Sequence, residues 1–169
     1  MNWKQTKHGR VRMADKTIIA IDPGTEMSAK VCWDGEKIIG FTKTLNECIL
    51  NQLRDSNRDC ALVIEEINPY TMGMTIRDTI LWSGRFQEAW ENKYRKVFYI
   101  PRREVTKHLC GVGSGLGDSV VSQALKDRFA YGVRNHGKGT KKEPGFFFGF
   151  KSDIWQAFAL AVTWWDQNN

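Results

Sequence analysis

Two carboxylates stand at the ends of two apolar segments, and this placement is the strongest chemical signal in the chain. The segment TIIAID at 17–22 closes on Asp22, and the segment CALVIE at 60–65 closes on Glu65. An acid that ends a buried strand emerges at the rim of the sheet, where ligands bind in α/β proteins. Two carboxylates brought together repel each other, and a divalent cation such as Mg²⁺ relieves that repulsion. We therefore predict that Asp22 and Glu65 share a metal site.

Asp22 taken alone has a simpler explanation. Aspartate commonly opens a turn, and Pro23-Gly24 follows it directly. A second acid in the same position, at the end of a separate apolar segment, favours the metal site over the turn.

A third acid opens the apolar segment that closes the chain. Asp153 begins the run DIWQAFALAVTWW at 153–165, and Gln156 follows one helical turn later on the same side. At a helix start Asp153 could also act as a cap or as a partner of the helix dipole. Beside Asp22 and Glu65 it would complete a three-carboxylate site. In such sites two metal ions prepare the attacking water and stabilise the leaving oxygen of phosphodiester hydrolysis.

The elements that must position these acids follow from the spacing of apolar residues. Short apolar segments predict strands, with Asp34-Gly35 as a hairpin turn, at 17–22, 29–33, 37–42, 60–65 and 97–100. Apolar residues at helical spacing predict helices at 44–56, 74–94, 102–109, 118–130 and 153–165. Segment 131–150, rich in glycine and lysine, is expected to be a long loop. This order predicts an α/β protein with a ribonuclease H-like mixed sheet flanked by helices.

Composition bounds the class of protein. The 169 residues suffice for one domain with its own core, and no apolar run approaches the length of about 20 residues that a membrane span needs. We expect a domain over 17–169, a flexible basic arm over 1–16 without a secretion signal, no membrane partner and a cytoplasmic location. The four cysteines lack zinc-ligand spacing and are expected to be reduced, mostly core-filling thiols, so structural zinc is not expected.

The positive charge is concentrated at the N-terminus. Of the net charge of +6, residues 1–16 carry +4, which leaves +2 for the rest of the chain. A basic arm can add affinity for phosphate that does not depend on sequence. It could equally be a solubilising tail, or the residues upstream of an alternative start at Met13, so the charge alone does not establish a nucleic-acid partner.

Five motifs in register resemble the RuvC group of Holliday junction resolvases, of bacterial or phage type. They run in the family's order and at about its spacing over residues 17–165: IAIDPG at 19–24, VIEE at 63–66, WSGRFQ at 82–87, GVGSG at 111–115 and DxxQAFALA at 153–161. The resemblance implies a ribonuclease H-like fold and a homodimer that cleaves four-way and possibly other branched DNA. It also implies Mg²⁺ or Mn²⁺, two ions per active site, held by four acidic positions.

Carried over to this chain, the resemblance assigns the first two acids to Asp22 and Glu65. The family's closing helix bears two acids one turn apart, and here those positions hold Asp153 and Gln156. Glutamine offers a neutral oxygen, which could orient a metal-bound water, or it could merely fill space on a buried helix. Either three carboxylates suffice or another acid substitutes. The candidates are Asp118 and Glu66, and Glu66 is disfavoured because it points to the opposite face from Glu65.

The DNA-binding residues are expected in three places. The family's lysine near 115–118 is absent, so its role would pass to another lysine, and the candidates are Lys107, Lys138, Lys141 and Lys142. The glycine-rich segment could bring backbone N–H groups to a phosphate, or be a plain turn capped by Asp118; its residues are Gly113, Ser114 and Gly115. Tyr70 and Met72 could stack on opened bases near a branch point, or pack in the core.

Assembly is expected to use the helix at 74–90. The related enzymes dimerise through this region, and we expect that Trp82, Phe86 and Trp90 cannot all face one core. Two facing active sites require such a twofold arrangement.

Three other functions fit parts of the pattern. Gln156 would permit a junction-binding protein with weak or lost catalysis. A ribonuclease H-like nuclease that processes RNA would share the fold. The Asp-x-Gly-Thr motif at 22–25 also resembles the phosphate loop of actin-like ATPases and sugar kinases, but those proteins need two such domains and this chain has room for one.

Overall fold

A five-stranded mixed sheet forms the centre of the protein in a computed structural model, which describes residues 17–169 except 59, 69, 71, 72 and 94. The predicted basic arm and Met72 therefore lie outside the described residues. The strand order is β3-β2-β1-β4-β5. Strands β1 to β3 form an antiparallel meander, whereas β4 and β5 run parallel to β1 and to each other. The strands are β1 (Ile18–Asp22), β2 (Met27–Trp33), β3 (Ile38–Leu45), β4 (Ala61–Glu66) and β5 (Val97–Pro101).

Helices cover both faces of this sheet, which confirms the predicted α/β architecture. They are α1 (Asn46–Asp55), α2 (Met74–Glu91), α3 (Arg102–Cys110), α4 (Asp118–Phe129) and α5 (Ile154–Asn168). Each lies within a few residues of its predicted position. None of the helices in the described part of the chain is both long and apolar enough to cross a membrane.

Strand alternation divides the core into two clusters. Ile18 and Ala20 of β1 pack with α5, on a side that we call the α5 face. Ile19 and Ile21 pack on the other side with α1 and α2, on the α1/α2 face. Because side chains alternate along a strand, Asp22 continues the series of Ile18 and Ala20 and projects to the α5 face.

Helix α5 is almost wholly inside the protein. Every residue from 154 to 164 is buried, so the helix has no polar side over this stretch and must be covered by the sheet and by its neighbours. Asp166, near the end of the helix, accepts hydrogen bonds from His108 of α3 and Arg128 of α4. These contacts hold α3 and α4 against α5, far from the end of the helix where Asp153 lies.

The long segment before α5 is less open than the sequence suggested. It contains a 3₁₀ turn at Arg134–Gly137 and a short bridge between Gly139 and Pro144. Phe147 and Phe150 from its last part are buried, and their rings contact Trp155 in tilted and edge-to-face arrangements. The segment is therefore an anchored loop, because its aromatic residues supply part of the core.

The expectation about the aromatic residues of α2 was wrong. Phe86 and Trp90 are fully buried in one cluster, and Trp82 packs against the same cluster while partly exposed. Residues four apart rotate by only about 40° around a helix, so three of them fit within one apolar stripe. The exposed apolar residues of α2 are others, Met74 and Leu81 among them.

The cysteines are free thiols, but they fill the core less than expected. Cys60 is buried, Cys32 and Cys110 are half-buried, and Cys48 is exposed. Burial raises the pKa of Cys60 to about 11, so its thiol stays protonated and unreactive at neutral pH.

Candidate active site

The carboxyl ends of β1 and β4 bring Asp22 and Glu65 side by side. Ile21 pairs with Ile64 in a parallel register, and each acid is the next residue of its strand. Both continue the side-chain series that faces α5, so both project to the same side of the sheet. Glu66 projects to the α1/α2 face and is exposed, as the sequence predicted.

The backbone after Asp22 is fixed by a buried hydrogen-bond network. The Gly24 N–H donates to Ser28 Oγ at 3.0 Å, and the Ser28 hydroxyl donates to Asn46 Oδ1 at 2.6 Å. The Asn46 amide returns a hydrogen bond to the Gly24 carbonyl at 2.9 Å. A Cβ on residue 24 would lie 2.2 Å from the Met27 carbonyl oxygen, so only glycine fits. No sequence pattern points to Ser28 and Asn46, whose side chains hydrogen-bond across 18 positions.

The surroundings of Asp22 and Glu65 disfavour the ionised forms of their carboxyl groups. Burial raises the pKa of Asp22 well above its usual range, and the charges of Glu65 and Asp153 raise it further. Burial also raises the pKa of Glu65, against the opposing charge of Arg102. Desolvation and like charge both disfavour the ionised carboxylate, and a bound cation would remove the penalty. The arrangement has the electrostatics of a cation site.

Asp153 lies at the same end of the sheet but is already paired. It precedes α5 and forms a salt bridge with Lys43 of the edge strand β3. Burial raises the pKa of Asp153, but hydrogen bonds from Lys43 and from the Ser152 hydroxyl outweigh it and lower the pKa overall. Lys43 reaches this position because it pairs with Ala29, which in turn pairs with Asp22 across the sheet.

Gln156 is buried and hydrogen-bonded to an arginine. Its side chain oxygen accepts a hydrogen bond from Arg102, the first residue of α3. The other terminal nitrogen of Arg102 donates to Asp118 at 2.5 Å, at the start of α4. Asp118 is largely exposed, with 78% of its side-chain surface open to solvent. Sequence reasoning missed Lys43 and Arg102, whose cationic side chains pair with Asp153 and with Gln156 and Asp118.

The donor set fits a hard divalent cation held by Asp22 and Glu65. Mg²⁺ typically takes one or two carboxylates, with waters and substrate phosphate completing its shell. Within the described ranges no three carboxylate, histidine or cysteine side chains converge closely enough to hold one ion. Asp153 is engaged by Lys43, so a metal ion that recruits it as a third ligand would compete with that ammonium group.

The other predicted contact residues fall into two groups. Gly113 lies against Arg103, since a Cβ there would be 3.0 Å from Arg103 Cγ, so the glycine-rich loop folds back toward the start of α3. The described members of the other group are all exposed: Tyr70, Lys107, Lys138, Lys141 and Lys142. Tyr70 is 90% exposed, which excludes core packing for that residue. Ser114 and Gly115 are also exposed, and Gly115 has a φ of 76°.

Comparison with known proteins relates the chain by structure rather than by sequence. No protein-family model and no curated protein sequence matches it. Thermus thermophilus RuvC superposes with a TM-score of 0.61 at 16% identity, over 87% of this chain and 92% of that one. T. thermophilus RuvC in complex with Holliday junction substrate matches with the same TM-score at 14% identity, over 87% of this chain and 90% of that one.

The fold is therefore the ribonuclease H-like α/β fold of RuvC. A ROK hexokinase from Thermus thermophilus aligns with 54% of the chain at a TM-score of 0.37, which is too low to support an argument about sugar kinases.

Proposed function

We propose that this chain is a metal-dependent endonuclease that hydrolyses phosphodiester bonds in branched DNA, with four-way junctions as its main substrate. The observation that carries the proposal is the pair Asp22 and Glu65. The two carboxyl groups lie side by side on a RuvC-like fold, in surroundings that disfavour their ionised forms. A RuvC of this fold has been solved with a Holliday junction substrate, which supports the choice of substrate.

The residues of the site divide into metal ligands and residues that keep those ligands in place. Asp22 and Glu65 would hold Mg²⁺ or Mn²⁺, which when bound activates water and stabilises the leaving oxygen. The Ser28 and Asn46 network keeps the backbone of the Asp22 turn in place. Lys43 holds Asp153 at the rim of the site. Catalysis of this kind depends mainly on positioning and on charge stabilisation, so fixed ligands matter more than mobile ones.

The decisive experiment compares a mobile four-way DNA junction with a linear duplex of the same sequence. Wild-type protein should cut the junction only when Mg²⁺ or Mn²⁺ is added. Asp22→Asn should lose cleavage and still retard the junction in a gel, because it removes a ligand and also a negative charge that faces phosphate. Glu66→Gln is the matched control, since it neutralises an exposed acid on the other face. Full cleavage by Asp22→Asn would refute the assignment of the site.

A junction-binding protein with weak catalysis is the second candidate. Its support is the neutral Gln156 and the pairing of Asp153 with Lys43, which leave fewer free carboxylates than a four-acid site has. Wild-type protein that binds the junction tightly and does not cut it with either metal would favour this candidate. Cleavage of a matched RNA in preference to DNA would instead favour an RNA-processing nuclease.

We also propose that the working unit is a twofold dimer. A junction presents two opposed strands, and one copy of this site can address one of them. The exposed side of α2 offers apolar contacts at Met74 and Leu81, which are 72% and 60% exposed.

A further inference from the structure

One guanidinium group connects three parts of the candidate active site. Arg102 donates one hydrogen bond to the Gln156 side chain oxygen and another to Asp118. Pro101, the residue before Arg102, pairs with Glu66 of β4, so Arg102 also begins next to the strand end that carries Glu65. Its side chain is 28% exposed, which leaves it accessible to a ligand in the site.

The position of Arg102 is set by backbone structure rather than by chance contact. Strand β5 ends at Pro101, at the same edge of the sheet as Asp22 and Glu65, and α3 begins with Arg102. Strand β5 pairs with β4 in parallel, so its carboxyl end lies beside that of β4. The Arg102 side chain therefore originates at the edge of the sheet where the strands carrying Asp22 and Glu65 end.

Two cationic side chains, Lys43 and Arg102, pair with residues at the start of α5. Asp153 and Gln156 are three residues apart and share a face of the helix. Lys43 is paired with Asp153, and Arg102 is bonded to Gln156. Asp153 and Gln156 thus each have a cationic partner of their own, one from the edge strand β3 and one from the start of α3.

Gln156 is poorly suited to hold a second metal ion in this arrangement. A glutamine has one acceptor oxygen and no charge, and here that oxygen already accepts a hydrogen bond from an arginine. A guanidinium has five N–H donors, so Arg102 keeps donors free after its contacts with Gln156 and Asp118. Those donors suit the paired oxygens of a phosphate, which an arginine can bind through two parallel hydrogen bonds.

We propose that Arg102 is a catalytic residue that contacts the scissile phosphate and supplies the positive charge that a second metal ion would otherwise bring. The site then works with one divalent ion, held by Asp22 and Glu65. Gln156 and Asp118 act as positioning residues that orient the guanidinium. This inference rests on the proposed nuclease function and adds to it the number of metal ions and the group that replaces one of them.

Two measurements test the inference, and the first does not depend on activity. Calorimetric titration of metal-free protein with Mn²⁺ should show one ion per chain for the wild type and for Arg102→Ala. The double variant Arg102→Ala with Gln156→Asp should bind two, because a free carboxylate then replaces the bonded amide. Two ions bound to the wild type would overturn the proposal.

The second measurement is the single-turnover rate of junction cleavage at saturating protein. Arg102→Ala should slow cleavage about 100-fold or more, as loss of a group that stabilises transition-state charge does, with junction affinity changed much less. Arg102→Lys should recover part of the rate, since it restores charge without the planar fork. The control is Arg128→Ala, which also removes an arginine–aspartate pair but lies at the far end of α4.

The outcomes separate this inference from the proposed function. Wild-type cleavage together with an unchanged rate for Arg102→Ala would overturn the role of Arg102 alone. A wild-type protein that cuts no branched DNA would overturn the nuclease function and this inference with it. Thermal melting of each variant shows whether a lost rate reflects unfolding. A folded Arg102→Lys variant that cleaves at a rate between those of the wild type and Arg102→Ala supports the proposal.

Discussion

Lys43 and Asp153 form an ion pair across 110 positions of sequence, between the edge strand of the sheet and the start of the buried helix α5. A metal ion that recruits Asp153 must compete with this ammonium group. The pair is partly open to solvent, with side-chain exposures of 28% and 44%, so the competition is modest.

Replacement of Lys43 by methionine should therefore tighten metal binding. We expect the affinity of metal-free protein for Mn²⁺ to rise about two- to fivefold, the size of a partly exposed ion pair. Lys37→Met is the control, because Lys37 is an exposed lysine in the turn before β3. Calorimetric titration without DNA measures the effect. Equal affinity in all three proteins would show that Asp153 takes no part in holding the metal.

The buried charge of Asp22 predicts how stability depends on pH. Its folded-state pKa is raised, so the contribution of this group to stability is fully present below its unfolded pKa and is lost as the pH rises through the folded value. Metal-free wild type should therefore melt at a lower temperature at pH 8 than Asp22→Asn, by a few degrees. The difference should shrink toward pH 4, where Asp22 is protonated.

Added Mg²⁺ should reverse the order in the same melting experiment. The ion binds the ionised carboxylate, so it should raise the melting temperature of the wild type more at pH 8 than at pH 5, and that of Asp22→Asn little at either pH. A wild type that melts independently of pH and of Mg²⁺ would contradict the electrostatic account of the site.

The positions of the acids could be predicted from the sequence because they follow from local pattern. Apolar segments that end on Asp22 and Glu65 must be buried strands, and alternation then sends both side chains to one face. The same rule placed Glu66 on the opposite face. The order of strands and helices likewise indicated the mixed sheet, since parallel neighbours need helical crossovers.

The partners of the acids could not be predicted, because they come from distant parts of the chain. Lys43 and Arg102 look like ordinary surface cations in their own segments, and only the folded sheet edge brings them to Asp153 and Gln156. The contact between Arg102 and Gln156 spans 54 positions.

The turn after Asp22 should tolerate no side chain. Gly24→Ala would place a Cβ 2.2 Å from the Met27 carbonyl oxygen and force the turn to shift. We expect a loss of about 1–3 kcal/mol in the free energy of unfolding, typical of overpacking, and a slower cleavage rate because Asp22 moves with the turn. Gly40→Ala is the control, as its Cβ would meet nothing within 4 Å. Urea denaturation that finds the two variants equally stable would contradict the packing described for the turn.

The exposed side of α2 should carry the dimer contact. Leu81→Arg places a charge on a side chain that is 60% exposed, so it should leave the fold intact and shift the protein toward monomer. Ile39→Arg makes the same kind of change on the edge strand and should not alter the oligomeric state. Sedimentation velocity distinguishes them. A wild type that stays monomeric both free and on a junction would refute the dimer.

The last prediction concerns Gln156, where the chain departs from the acidic pattern it resembles. A carboxylate on a buried helix would ordinarily cost several kcal/mol as an unpaired charge. Here Arg102 already donates to this position, so Gln156→Asp should exchange a neutral acceptor for a charged one. We expect the melting temperature to change by no more than a few degrees.

The same contact governs the metal requirement of the Gln156→Asp variant. While Arg102 is present it should hold the new carboxylate, so the Mg²⁺ concentration for half-maximal cleavage should stay near that of the wild type. Removal of the guanidinium in the double variant with Arg102→Ala should free the carboxylate and add a second ion. A several-fold lower Mg²⁺ requirement in Gln156→Asp alone would show that position 156 reaches the metal directly, and a large fall in melting temperature would show that Arg102 does not pair with it.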